Sequence, residues 1–312
     1  MVLFEKGTVL RRYTQSRRGI IAMVIACTVW GLSPLYYAQV AHVPPFTVLC
    51  YRALWSLAVF AGLLILQRRF TAVVTLLRSG RNVVSVLIAA VMISVNWFLY
   101  IYAIGSQQGV EASLGYFIFP LIAVLLGRVI FRERLDVLQS FAIALACVAV
   151  AVLTFGLGAA PWIAIALAVT FGVYGLLKKR LDAGPVVSVT AEVLLITPFA
   201  VAWLIMERGG TGYSLSTHAL LAFSGPLTAV PLILMSFALK HVQLSTIGMV
   251  QYLNPSLQFF CAVMIFSEPF TPWHAMSFPV IWSALLIYSF AVWRQERASR
   301  KAVSSIATSG TS

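Results

Sequence analysis

Charge of one sign is almost missing from this sequence: 312 residues carry only nine Asp and Glu, and all charged residues together make up 10%. A water-soluble domain carries about 25%. So few charges cannot solvate a globule of 34.1 kDa, which excludes an ordinary cytosolic fold. Disorder is excluded too, because it needs low hydrophobicity, and 61% of this chain is apolar. Cysteine is scarce as well. Cys27, Cys50, Cys147 and Cys261 all lie in apolar stretches without a CxxC spacing, so they read as small buried hydrophobes rather than disulfides or zinc ligands. Signatures of catalysis are missing: no GxSxG, no GxxxxGK[ST], no GxGxxG and no HExxH. His42, His218, His241 and His274 sit singly near the ends of apolar runs. No cofactor and no metal is expected, and any pumping must draw on a gradient or a partner.

What the chain has instead is long apolar runs. A bilayer core about 30 Å thick is crossed by about 20 residues of helix. Ten such runs are present, at 19–40, 45–66, 83–104, 111–129, 137–155, 160–177, 187–206, 219–239, 245–266 and 273–293. Their apolar residues run on without alternation, which favours helices over a transmembrane barrel. The expected class is therefore an all-α integral membrane protein with ten transmembrane helices. The first run follows Arg17 and Arg18 but is too long for a secretory signal core, and a second apolar run follows at once.

Lysine and arginine set the orientation. Of the 22 such residues, all but Arg52 and Arg208 fall at one side of a ten-span chain, from Lys6, Arg11 and Arg12 through Arg68, Arg81, Arg128, Lys178 and Lys240 to Arg294 and Lys301. By the positive-inside rule both termini are cytoplasmic. The basic loops are then topology determinants and contacts for anionic lipid headgroups. No nucleic acid is expected as a partner.

The halves echo each other. At a constant offset of 135, Pro120 meets Pro255, Ile130 meets Ile265, Phe131 meets Phe266 and Glu133 meets Glu268; Trp30-Gly31 is echoed by Phe171-Gly172. With five spans in each half, the second enters the membrane in the opposite sense. Two inverted five-helix repeats, 19–155 and 160–293, flanked by tails 1–18 and 294–312, are the architecture of many secondary transporters, whose solute site lies near the midplane. Pro120 and Pro255 fall near mid-depth, where a broken helix is tolerated only beside protein or a water-filled cavity.

Polar groups inside spans are functional candidates by default. Arg52, about 10 Å deep in the second span, has Glu111 at the outer start of the fourth as its natural partner, as gate or structural clamp. Glu192 lies a turn or so into the seventh span, to carry a proton or to cap the helix start. Trp30, Asn96, Trp97, Tyr116, Gln251, Tyr252 and Asn254 fall at middle depth. Aromatic faces beside amides suit a small, partly apolar solute, though each residue alone also fits helix packing with an interhelical hydrogen bond. Ala164, Ala168 and Gly172, four apart, read as a close-packing seam.

Several motifs recur together: VWGLSPLYY at 29–37, YRALWS at 51–56, NWFLYIYA at 96–103, EASLGYFIFPL at 111–121, FRERL at 131–135, YGLLKK at 174–179, TAEVLLITP at 190–198, LSTIGMVQYLNPS at 244–256 and FSEPF at 266–270. In these the chain resembles the RarD group, the chloramphenicol-sensitivity proteins of the EamA-type drug/metabolite transporter superfamily. The resemblance runs from about residue 18 to 293. It implies a bacterial inner-membrane carrier of ten helices in two inverted halves, and Arg52, Glu111, Glu192 and Lys240 fall on positions the group tends to fill alike. The group's cargo is poorly defined, so the small-molecule substrate, the direction of transport (export included) and the coupling ion stay open. A homodimer is compatible with the resemblance but has no support in the residues. The reading that follows is a secondary transporter working by alternating access. The alternative is a polytopic membrane enzyme or a non-transporting membrane subunit.

Overall fold

The computed structural model describes residues 2–131, 136–158, 160–181, 183–207, 212–242 and 244–309. Every regular element among them is helical: α1 Val2–Gly31, α2 Ser33–Gln39, α3 Pro45–Leu66, α4 Thr71–Arg78, α5 Gly80–Gly105, α6 Gly109–Phe131, α7 Val137–Leu157, α8 Trp162–Arg180, α9 Pro185–Met206, α10 Leu215–His241, α11 Leu244–Gln251, α12 Leu253–Phe260, a π-helical turn Cys261–Ile265, and α13 Pro272–Ser309. Local chemistry sets the ends. Asp136 and Gln139 form a capping box at α7, the Ser214 hydroxyl accepts from the Thr217 N–H at α10, and prolines open α3 and α9, where the missing N–H costs nothing. Gly158, at φ 68°, ends α7 in the left-handed region that glycine tolerates.

Among the described residues, seven helical stretches are long and apolar enough to cross a membrane: Gln15–Gln39, Pro45–Leu66, Gly80–Gly105, Val137–Leu157, Pro185–Met206, Leu215–His241 and Pro272–Gln295. Two shorter apolar helices, Gly109–Ala123 and Trp162–Lys178, stand with them. Phe155, Phe199, Ile205 and Leu286 point outward, an arrangement suited to lipid and costly in water.

Four features go beyond the sequence reading or depart from it. The tails 1–18 and 294–312 continue the flanking helices: α1 starts at Val2 and α13 runs to Ser309, since Arg, Lys, Glu and Ala are good helix formers and no proline interrupts them. The first span bends at Leu32, where Pro34 starts α2. The presumed loop 67–82 contains α4, whose Val73 and Leu76 pack on Leu64, Val86 and Leu181. And the paired prolines behave differently. Around Pro255 the expected span 245–266 divides at Tyr252, whose N–H turns back to the Met249 carbonyl at 3.3 Å. α6 passes through Pro120 as one helix, so Pro120 is not a break. Close packing along α6 holds it together: a Cβ on Gly115 would stand 2.8 Å from the Ala164 carbonyl oxygen, and the expected small-residue seam of α8 is what lets the two backbones approach.

Helices from both ends of the chain interleave. α1 packs on α10 and α12, α8 packs on α5 and α6, α3 lies against α9 and α10, and α7 against α13. Gly225 of α10 touches the α3 backbone so closely that a Cβ would meet the Trp55 carbonyl oxygen at 2.5 Å.

Candidate functional site

Arg52 stands on α3 where α2, α5 and α10 converge, and only 7% of it is exposed. Its guanidinium lies 4.0 Å from the centre of the Trp97 ring and 5.8 Å from that of Tyr37. Nε donates to the Thr228 hydroxyl at 3.0 Å, and that hydroxyl donates to the Ser224 carbonyl at 2.9 Å. The expected partnership with Glu111 is not formed. The Glu111 carboxylate faces the backbone N–H groups of Ile163 and Ala164 at the start of α8, and its Oε2 has no hydrogen-bond partner. The free N–H groups and positive end of the α8 dipole compete for it, while Arg52 is taken by ring faces and a hydroxyl.

From Tyr37 a series of ring contacts runs inward. Tyr37 meets Tyr100 edge-on at 5.7 Å, Tyr100 meets Tyr116 at 5.7 Å, Tyr116 meets Phe171 at 5.9 Å, and Phe171 stacks on Tyr174 at 5.9 Å. Tyr100 also shares a hydrogen bond of 3.0 Å with Ser33. Asn96 anchors the middle. Its Nδ2 donates to the Leu167 carbonyl at 2.9 Å and to the Thr170 hydroxyl at 3.1 Å, and its Oδ1 accepts from the Tyr116 hydroxyl at 2.9 Å. Both amide hydrogens are thus committed to α8, and Asn96 joins α5, α6 and α8.

At the far end of the series Glu192 of α9 is completely buried. Lys178 Nζ of α8 lies 2.7 Å from its Oε1, and the Tyr174 hydroxyl donates to its Oε2 at 3.0 Å. Lys178 also donates to the Ser188 hydroxyl. Sequence reasoning counted Lys178 among the loop cations and missed this pair. The signal was available: Lys178 closes one span, Glu192 opens the next, and the short connection between α8 and α9 sets them side by side.

The remaining candidates are more dispersed. Trp30, half-buried at the end of α1, lends its carbonyl to the Ser33 hydroxyl at 2.6 Å. Gln251, Tyr252 and Asn254 surround the division between α11 and α12. Tyr252 turns away from the ring series toward Tyr288 and Ser289 of α13, and Asn254 Oδ1 accepts from Gln258 Nε2 at 2.9 Å. A separate apolar groove of about 430 Å³ lies between α1–α2 and α10, lined by Val29, Leu32, Tyr36, Phe223 and Leu227. A further residue with a defined task is Glu268, buried, which accepts the N–H groups of Gly109 and Val110, both at 2.8 Å, and so caps α6. Its sequence counterpart Glu133 lies outside the described residues. Among the described residues no three His, Cys, Asp or Glu side chains gather as metal ligands would.

Comparison with known proteins places this arrangement. Residues 17–155 match the model of the EamA-like transporter family. The chain is 36% identical over 292 residues, 92% of its own length and 97% of the other's, to a protein of Vibrio cholerae serotype O1 named only as an uncharacterized transporter. It is 38% identical to the protein RarD of Streptomyces exfoliatus, covering 93% of this chain and 94% of that one. With RarD of Escherichia coli strain K12 it shares 32% identity over 92% and 99%. A solved crystal structure superposes with a TM-score of 0.60 at 18% identity, covering 87% of this chain and 97% of that chain. That likeness speaks for the fold alone.

Proposed function

The chain belongs to the EamA-like transporter family, a family of membrane transporters and not of enzymes, and from there we propose that it is a secondary carrier moving a small organic solute by alternating access. In this reading it crosses the bacterial inner membrane ten times, in two inverted halves of five helices, with both termini in the cytoplasm.

One observation carries the proposal. The offset of 135 pairs Ile122 with Leu257, and the WG/FG echo pairs Gly31 with Gly172. In the fold, Gly31 of α1 has Leu257 where its Cβ would be, at 2.6 Å, and Gly172 of α8 has Ile122 at 3.5 Å and Leu126 at 3.0 Å. Leu126 pairs in turn with Cys261, whose thiol lies 3.9 Å from the Gly31 carbonyl oxygen. Each half thus sets its first helix against the other half's fourth through the same residue positions. Two such matched contacts can be strengthened and loosened in turn at little net cost, which is what a carrier of inverted repeats needs to trade one open face for the other.

The ring series, from Arg52 inward to the Lys178–Glu192 pair, supplies the passage. Glu192 is the group placed to carry a coupling proton, since taking one up would break its ion pair with Lys178 and so loosen α8 from α9. Proteoliposomes loaded with an isotope-labelled bacterial metabolite extract and diluted into unlabelled extract should exchange at least one compound faster than they lose it into plain buffer. Equal rates into both media would describe a channel, and exchange of nothing would end the carrier reading. Glu192→Gln should abolish accumulation driven by a pH gradient while sparing exchange; equal loss of both removes the proton from Glu192.

A further inference from the structure

Arg52 is a buried cation without a counter-ion. Among the described residues no carboxylate lies within ion-pairing distance of it, and Glu111, the partner expected from the sequence, faces the start of α8 instead. Glu192 is occupied by Lys178. Only Nε of Arg52 has an acceptor, the Thr228 hydroxyl. Both terminal amino groups are left without a protein acceptor among the described residues.

A guanidinium keeps its charge in a protein interior, and leaving it there unpaired is strongly unfavourable. The faces of Trp97 and Tyr37 offset part of this through cation–π attraction. They cannot use the N–H groups in the guanidinium plane. Two parallel N–H donors in one plane match the two oxygens of a carboxylate. A single cation balances a single negative charge, which disfavours a phosphate dianion. Next to it the walls are flat and apolar: Trp97, Tyr37 and Tyr100, with Tyr116 beyond.

We propose that Arg52 is the carboxylate-recognising group of the site, and that the solute is a monoanion carrying a flat, apolar body. The inference rests on the carrier reading for its meaning but not for its test. Residues of both halves hold Arg52 in place: α3 and α5 from the first, and Thr228 of α10 from the second. A bound carboxylate would therefore bridge elements that separate when the carrier reorients.

The test is thermal unfolding of the purified protein in detergent with matched pairs of acid and neutral amide: benzoate and benzamide, phenylacetate and phenylacetamide, indole-3-acetate and indole-3-acetamide. A ligand of the folded state raises apparent stability. At least one acid should stabilise the wild type with an apparent affinity about tenfold or more above its amide, a difference of about 1.4 kcal/mol. Arg52→Gln should erase that preference. If Arg52→Gln fails to fold, Arg52→Lys, which keeps the charge and loses the planar fork, should show it markedly reduced. The inference falls if no acid outperforms its amide in the wild type, or if a folded variant keeps the preference intact. Acid-selective binding without any flux in proteoliposomes would sink the carrier reading and leave this one standing. Flux of a neutral solute indifferent to Arg52→Gln would do the reverse.

Discussion

At the scale of single residues, the polar groups divide by whether their hydrogen-bonding capacity is already spent. Asn96 falls on the spent side. Its amide serves Leu167, Thr170 and Tyr116, so it acts as a joint between three helices. Tyr116→Phe removes one of these bonds and should lower stability by about 1 kcal/mol. Asn96→Ala leaves the Tyr116 hydroxyl without its acceptor and removes both ties to α8, at the Leu167 carbonyl and the Thr170 hydroxyl, and should cost about 2–3 kcal/mol. Thermal melts in detergent measure both. A variant Asn96→Ala that melts with the wild type would return Asn96 to the solute-binding set. The middle depth of Asn96 was legible in the sequence; its commitments were not, because its partners Leu167 and Thr170 are on a helix about 70 residues away, as the hydrogen bonds show.

Between elements, the decisive quantities are how near two backbones come and what stands in the way. Gly31 faces a Cβ of Leu257 at 2.6 Å, whereas Gly172 faces chiefly the tip of Leu126 at 3.0 Å. A side-chain tip can swing aside, but a Cβ moves only with its backbone. Gly31→Ala should therefore cost about 1–3 kcal/mol by overpacking, with Gly172→Ala costing less. Pairing Gly31→Ala with Leu257→Gly, which takes that Cβ away, should recover part of the loss. Melting of the two single variants and the double decides this, and equal costs for both glycines would contradict it. Most of the spans could be read from the sequence, seven of them standing as long apolar helices among the described residues, because twenty apolar residues can hardly do anything else. The behaviour of each proline could not. Pro120 and Pro255 look alike in a string of letters, yet α8 runs close along α6 and keeps it whole, while the other site turns at Tyr252. The cap that Glu268 places on α6 joins positions 159 residues apart, beyond the reach of any local pattern.

For the molecule as a whole, the distribution of basic residues makes a definite forecast. Single cysteines replacing Thr8 and Ser309, in a background lacking the native four, should be blocked by a membrane-impermeant maleimide only after the cells are opened. Reaction of one of them in intact cells would overturn the proposed ten-span arrangement. The Glu268 carboxylate has a mechanical corollary at this scale. It grips two amides of α6 while being rooted in the strap between the π-helical turn and α13. The start of α6 and the strap are pinned together like a door leaf and its hinge plate, so a tilt of α6 would pull on the segment that leads into α13.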